Sequence, residues 1–133
     1  MNYENNYTKI VFDNFPFVKI SIKDHTPTDS EFDEFLSAMK ETYANKKNRI
    51  VFFDLVEARN VPLSMQVKFA KWSLGMEPNF AAYLKGVTFH VSNNLIKSIL
   101  KSIFFLQKPN YDYKVATKLS DAESHHEAMK ARV

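Results

Sequence analysis

The sequence predicts a single α/β domain in which a mixed sheet of five strands carries helices on its faces. The chain has 133 residues, which is the length of one domain. Near its start, two alternating segments are separated by turn residues, and this pattern indicates a β-hairpin. After the hairpin, short apolar segments alternate with amphipathic ones. Right-handed crossovers between such strands produce parallel pairing with the helices packed on the sheet.

Each predicted element rests on its own local pattern. The strands alternate apolar and polar side chains, except the central strand (RIVFFDLV), whose apolar run is typical of a strand covered on both faces. The four helices each begin with a capping signal. In chain order these are a capping box at Thr28, Asn60 followed by Pro62, a capping Ser92, and a capping box at Ser120. In the order β-β-α-β-α-β-α-β-α, the elements lie at 7–13, 17–23, 28–45, 49–56, 61–76, 86–91, 92–107, 113–116 and 120–133.

The composition excludes several classes of function. With only 2 glycines, the chain cannot contain a GxGxxG motif, a Walker-type phosphate loop or a GxSxG nucleophile elbow. It has no cysteine, which excludes disulfides, thiolate zinc sites and cysteine nucleophiles. Its 4 histidines are too scattered to predict a metal site, and we expect no cofactor. A net charge of +3 is weaker than the clustered charge of a nucleic-acid-binding protein, so no nucleic-acid partner is expected.

The chain carries no pattern of a targeting or membrane segment. We expect residues 1–133 to form one domain and the polar residues 1–6 to be flexible. The first residues lack the basic start and apolar run of a secretory signal. No stretch of 18 apolar residues is present, so no membrane span is predicted. A cytoplasmic protein is therefore expected.

The order of the elements and four segments resemble a known family. The segments are FPFVKISI (15–22), RIVFFDLVEA (49–58), LKGVTFHVSNNLIKSILKSIFFLQKP (84–109) and YKVATKLSDAESHHEAM (113–129). Together they resemble the STAS domain of anti-sigma-factor antagonists and the bacterial SpoIIAA-like proteins. The resemblance implies an α/β fold used for protein–protein switching or small-ligand contact, without a shared catalytic mechanism. Regulated antagonists carry a phosphorylatable serine in a D-S-[ST]-G motif, whereas Asn60 to Ser64 (NVPLS) here lack its glycine and its acidic residue.

Two stripes of apolar side chains run along opposite sides of the second helix. The first consists of Leu63, Val67, Ala70 and Leu74, and the second of Met65, Phe69, Trp72 and Met76. One stripe packs on the sheet. The other is covered by a neighbouring helix or by the segment 78–84, by a second protein chain, or by an apolar ligand. The third helix has a wide apolar arc that extends the second stripe. We predict an interface formed by Met65, Phe69, Trp72, Met76, Leu100 and Phe104.

A group of polar residues follows the central strand, at the edge where open α/β sheets bind ligands. The group consists of Asp54, Glu57, Arg59, Asn60 and Ser64. An enzyme would use Asp54 or Glu57 as a general base held by Arg59, but no triad, metal set or phosphate loop supports catalysis. His125 and His126 are adjacent and lack the spacing of a metal-binding pair, so we expect both at the surface.

Three functions remain open from the sequence. The first, which we favour, is a non-enzymatic regulatory or scaffold module that acts through protein contacts as a homodimer. The second is a carrier or sensor of an apolar small molecule or lipid, which the 12 Phe and 5 Met suggest. The third is an enzyme that uses the loop from Asp54 to Ser64.

Overall fold

The computed structural model describes residues 2–59 and 61–133 of the chain. The strands in this part are β1 (Tyr3–Glu4), β2 (Thr8–Val11), β3 (Phe17–Ile22), β4 (Arg49–Leu55), β5 (Leu84–Val91) and β6 (Tyr113–Ala116). The helices are α1 (Asp29–Glu41), α2 (Leu63–Gly75), α3 (Glu77–Tyr83), α4 (Asn94–Leu106) and α5 (Leu119–Met129). The strands lie in the sheet in chain order, β1-β2-β3-β4-β5-β6. The first three pair antiparallel, and β3 to β6 pair parallel.

The structure confirms the predicted α/β fold class and adds one edge strand to the predicted sheet. This strand is β1, in which Tyr3 lies opposite Ile10 of β2. The Tyr3 hydroxyl also donates to a carboxylate oxygen of Glu34 on α1, at 2.9 Å. Residues 3 and 4 are thus paired where the sequence predicted flexibility. Two residues are too few to produce an alternating pattern, which explains why the strand was not predicted.

The helix starts agree only in part with the predicted caps. Thr28 and Glu31 form the predicted capping box: the Thr28 hydroxyl accepts from the Glu31 N–H at 3.1 Å, and the Glu31 carboxylate accepts from the Thr28 N–H at 2.9 Å. Helix α4 is capped by Asn93 rather than by Ser92, because the Asn93 side chain accepts the backbone hydrogen bond. The predicted box at Ser120 is wrong, since that residue already lies inside α5.

The two faces of the sheet are covered differently. The crossovers from β3 to β6 all step in one direction, and right-handed connections then place α1, α2 and α4 on the same face. This face carries the main core, whose strand residues include Val18, Ile20, Ile22, Val51, Leu55, Val87, Phe89 and Val91. Among the described helices, α5 packs on the opposite face, mainly against β5 and β6. Part of that face, over β3 and β4, remains open.

Helix α5 approaches the sheet closely at a glycine. A Cβ atom on Gly86 would lie 2.5 Å from the sulfur of Met129. Ile50, which is in register with Gly86 on the neighbouring strand, is fully buried there. The absence of a side chain at Gly86 is therefore what lets the end of α5 pack on β5.

A buried arginine stabilises the turn that follows α1. Arg49 is fully buried, and its guanidinium donates to the Thr42 carbonyl at 2.6 Å, the Asn45 side-chain oxygen at 2.7 Å and the Lys47 carbonyl at 3.0 Å. It also lies 4.0 Å from the centre of the Tyr43 ring, a cation–π distance. These acceptors lie near the carboxyl end of a helix, where a cation is favourable. Arg49 therefore has a structural role.

Candidate functional site

The predicted interface residues lie in the interior. All six lie in or against the main core, namely Met65, Phe69, Trp72, Met76, Leu100 and Phe104. Met76 is only 2% exposed, and the Trp72 ring contacts the Phe80 ring of α3 edge-to-face at 6.0 Å. The stripe is therefore covered within the chain, which was one of the alternatives left open. The prediction that these side chains form an interface with another protein chain is wrong, because this is the stripe that packs on the sheet.

The apolar side chains left outside belong to the other stripe of α2 and to α4. Leu63 is 66% exposed and Phe105 is 92% exposed, and Leu74, Leu95 and Leu106 are also exposed. Leu63 and Leu74 are eleven positions apart, as are Leu95 and Leu106. At about 100° per residue, side chains at that separation point in directions that differ by about 20°, so the two leucines of each helix lie on one side of it. Because α2 and α4 pack side by side, these five side chains share one outer surface, which we call the α2–α4 face.

The α2–α4 face is positively charged. Its helices carry Lys68, Lys71, Lys97 and Lys101, and neither helix contains an aspartate or a glutamate. Lys68 pairs with Asp33 of α1 at 2.8 Å. The salt bridges formed within residues 2–59 and 61–133 do not involve the other three lysines. The face therefore combines exposed leucines with uncompensated positive charge.

Two small apolar cavities lie in the core under α2. The larger one has a volume of about 70 Å³ and the smaller one about 40 Å³. Three aromatic side chains line both, namely Phe53, Phe69 and Phe89. Arg59 and Val61 also line the larger cavity. An engineered cavity of about 150 Å³ holds benzene, so a lipid-sized ligand requires these cavities to expand.

The predicted polar group does not come together as one site. Asp54 is followed in β4 by the core residue Leu55, and alternate residues of a strand point to opposite faces, so Asp54 faces away from α2. Glu57 and Ser64 are exposed. Arg59 pairs with a carboxylate of the loop between β3 and α1. Asn60, which was also predicted to cap α2, lies outside the described residues. A general base held by Arg59, as the enzyme hypothesis requires, is therefore not formed.

Asp54 instead lines a cleft between α5 and the open part of the sheet. The cleft has a volume of about 630 Å³, and we call it the α5 cleft. Its floor is formed by the sheet residues Phe17, Lys19, Phe52, Asp54 and His90. Its wall is formed by Leu119, Glu123, His126 and Lys130. The wall residues are spaced three or four positions apart and so lie on one side of the helical end of the chain.

The two adjacent histidines contact the sheet, whereas the sequence predicted them at the surface. His125 Nδ1 and the hydroxyl of the buried Thr88 are hydrogen-bonded at 2.6 Å. The His126 ring stands perpendicular to the Phe52 ring, with 5.5 Å between the ring centres. Its Nδ1 atom is buried and has no hydrogen-bond partner among the described residues. Burial is the main cause that lowers the pKa of both histidines.

Comparisons with known proteins identify the fold. No protein-family model matches the sequence, and no curated protein matches it. The structure is similar to the crystal structure of an uncharacterized protein of the DUF3478 family, with a SpoIIAA-like fold, from Shewanella loihica. The TM-score is 0.59 over 92% of this chain and 97% of that chain. This chain has a SpoIIAA-like fold. That result confirms the fold implied by the sequence resemblance, and at 12% identity the likeness concerns the fold alone.

The helices of this structure are short relative to the thickness of a bilayer. Within the described part of the chain, every helix falls short of the length and apolar character needed to cross a membrane. The longest helices have 13 residues, and about 20 are needed for a span.

Proposed function

We propose that this protein is a non-enzymatic binding module that contacts another protein through the α2–α4 face. The observation that carries the proposal is the exposure of five large apolar side chains on two adjacent helices, with Phe105 almost fully in solvent. Exposed apolar patches of this kind are typical of contact sites. Aromatic side chains are frequent among the residues that dominate such contacts, so Phe105 is the expected anchor. The sequence resemblance to domains used in protein–protein switching agrees with this role.

The charge of the face indicates an acidic partner. Lys71 lies one turn from Leu74 and Lys101 one turn from Phe105, and neither helix carries a carboxylate. An amphipathic helix with apolar residues on one side and Asp or Glu beside them complements both properties. A symmetric dimer through this face brings the same lysines of two copies together, which disfavours a second copy as the occupant. A homodimer through another surface stays a prediction, which size-exclusion chromatography with light scattering tests.

Photo-crosslinking from the α2–α4 face tests the proposal. A photoreactive amino acid at position 105 should crosslink a specific protein in extracts of the native source, and Leu74→Glu should abolish that product. Leu119→Glu is the matched control, because Leu119 is an exposed leucine on α5, across the sheet. An acidic helical peptide from the captured protein should then bind the purified chain, with a Kd at least about tenfold higher for Phe105→Ser.

Anionic lipid vesicles distinguish a protein partner from a membrane surface. Phosphatidylglycerol vesicles offer negative charge and apolar groups without a folded partner. If the chain sediments with these vesicles, Phe105→Ser releases it, and no protein is crosslinked, the proposal is wrong. Unaltered crosslinking in Leu74→Glu also contradicts it. Both substituted side chains are exposed, so unchanged thermal unfolding should show that the variants are folded.

A second candidate function is the binding of an apolar small molecule, and the two adjoining cavities support it. Phe53, Phe69 and Phe89 separate them, so rotation of these rings would join the two volumes. Native mass spectrometry of the purified chain should then show a bound apolar compound, and Leu100→Phe, which fills the larger cavity, should remove it. If native mass spectrometry shows only the mass of the chain itself, and if benzene does not raise its Tm, this function is contradicted.

A further inference from the structure

The α5 cleft offers a binding site on the side of the sheet opposite to the α2–α4 face. We propose that it binds a small dipolar ligand, which has a cationic group at one end, an anionic group at the other and a flat spacer between them. Its volume of about 630 Å³ lies within the range of small-molecule sites. This inference is independent of the proposed function, because no residue of α2 or α4 lines the cleft.

The direction of α5 gives the cleft two different ends. His125 bonds Thr88, whereas Met129 lies over Gly86, two residues earlier in β5. The helix therefore runs antiparallel to β5. As a result, the first turns of α5 lie near the carboxyl ends of the parallel strands, and the 3-10 turn after α5 lies near their amino ends.

Opposite charges lie at the two ends of the cleft. At the carboxyl end of the strands, Asp54 lies on the floor and Glu123 on the wall. At the amino end, Lys130 places its Nζ 4.9 Å from the centre of the Phe17 ring. Lys19 lies on the floor in register with Phe52, two residues before the level of Asp54. Glu123 and Lys130 are seven residues apart, which corresponds to about 10 Å along a helix. A ligand with separated charges fits this arrangement better than one with a single charge.

The charged groups of the cleft remain available to a ligand. Among the described residues, Lys19, Asp54 and Glu123 take part in no salt bridge, although Lys130 pairs with Glu127 at 2.7 Å. Within the described part of the chain, Asp54 accepts one hydrogen bond, from the backbone N–H of Val56 in its own turn. In water such charges are hydrated, and a ligand that carries both signs replaces hydration at both ends.

An aromatic floor separates the two ends. The Phe52 ring lies between them and is flanked by His126 at 5.5 Å and by His90 at 6.4 Å, measured between ring centres. Flat groups pack on such rings in offset or edge-to-face geometry. Among the described residues, the buried Nδ1 of His126 adds a polar atom without a hydrogen-bond partner beside this floor. The spacer of the ligand is therefore expected to be aromatic or otherwise planar.

A set of three related compounds tests the proposal by NMR. The probe is 4-(aminomethyl)benzoate, whose charges stand at opposite ends of a benzene ring, and the controls are 4-methylbenzoate and benzylamine, which carry one charge each. Titration should shift the amide signals of Phe52, His90 and His126. The singly charged compounds should bind about three- to fivefold more weakly, as expected for the loss of one solvent-accessible ion pair.

Variants separate this site from other surfaces. Lys19→Gln and Asp54→Asn should each raise the Kd of the probe to that of a singly charged compound. Lys9→Gln is the matched control, since Lys9 is an exposed lysine on the same face of the sheet, outside the cleft. Phe105→Ser should leave the Kd unchanged, so failure here is distinguishable from failure of the proposed function. Equal affinity for all three compounds, shifts outside the cleft, or no binding of the probe would overturn the proposal.

Discussion

Replacing the buried arginine at the end of α1 measures how much stability depends on charged hydrogen bonds to that turn. Arg49→Met keeps most of the apolar stem and removes the guanidinium. The three shortest of its four hydrogen bonds are then lost, namely those to the Thr42 carbonyl, the Asn45 side-chain oxygen and the Lys47 carbonyl. At about 1–1.5 kcal/mol for each bond, the free energy of unfolding should fall by about 3–4.5 kcal/mol. This is a large share of the about 5–15 kcal/mol that stabilises a domain.

Circular dichroism during thermal and urea unfolding measures the effect of Arg49→Met. At about 4 °C for each kcal/mol, the Tm should fall by about 12–18 °C, and the urea midpoint should fall with an unchanged m-value. Arg132→Met is the matched control. Like Arg49, Arg132 donates to a backbone carbonyl, and it pairs in addition with a carboxylate, but it lies exposed at the surface. It should change the Tm little. Equal losses in the two variants would refute the reasoning, which assigns the cost to burial.

Two further predictions concern the packing of α5. Gly86→Ala should lower the free energy of unfolding by about 1–2 kcal/mol, because the new Cβ displaces Met129. Gly75→Ala is the control and should not lower it, because the space around Gly75 is open. Urea unfolding of both variants measures the difference. The pKa values of His125 and His126, followed by NMR, should lie below about 6.5. Because the folded state favours the neutral rings, the free energy of unfolding should be highest above that pH and should fall as the pH drops through the folded pKa values. This fall should be smaller in His126→Phe. The same pH dependence in the variant and the unaltered chain would contradict the prediction.

The sequence could predict the order of the elements but not which side of α2 faces the sheet. The strand Tyr113–Ala116 has its predicted bounds, because a local alternating pattern and its neighbours define it. The two stripes of α2, in contrast, have the same spacing and the same number of apolar residues. The stripe with Met65 and Trp72 packs inward, which agrees with the larger area that such side chains bury. The leucines at 63 and 74 are left in solvent.

The α5 cleft was not predicted because its residues are far apart in the chain. Phe17, Asp54 and His90 come from three strands, and no local pattern joins them to α5. The inward position of His125 and His126 could have been recognised. Together with residues 122 and 129 they follow the i, i+3, i+4, i+7 spacing of a buried helix face.

The lengths of the strands decide how another molecule can recognise this domain. The two edge strands have two and four residues, whereas the central strands β4 and β5 have seven and eight. Short edges offer few free backbone groups to a foreign strand, which limits aggregation from edge to edge. The same shortness leaves little room for an extended peptide to join the sheet as an added strand. A specific partner must therefore read side chains rather than the main chain.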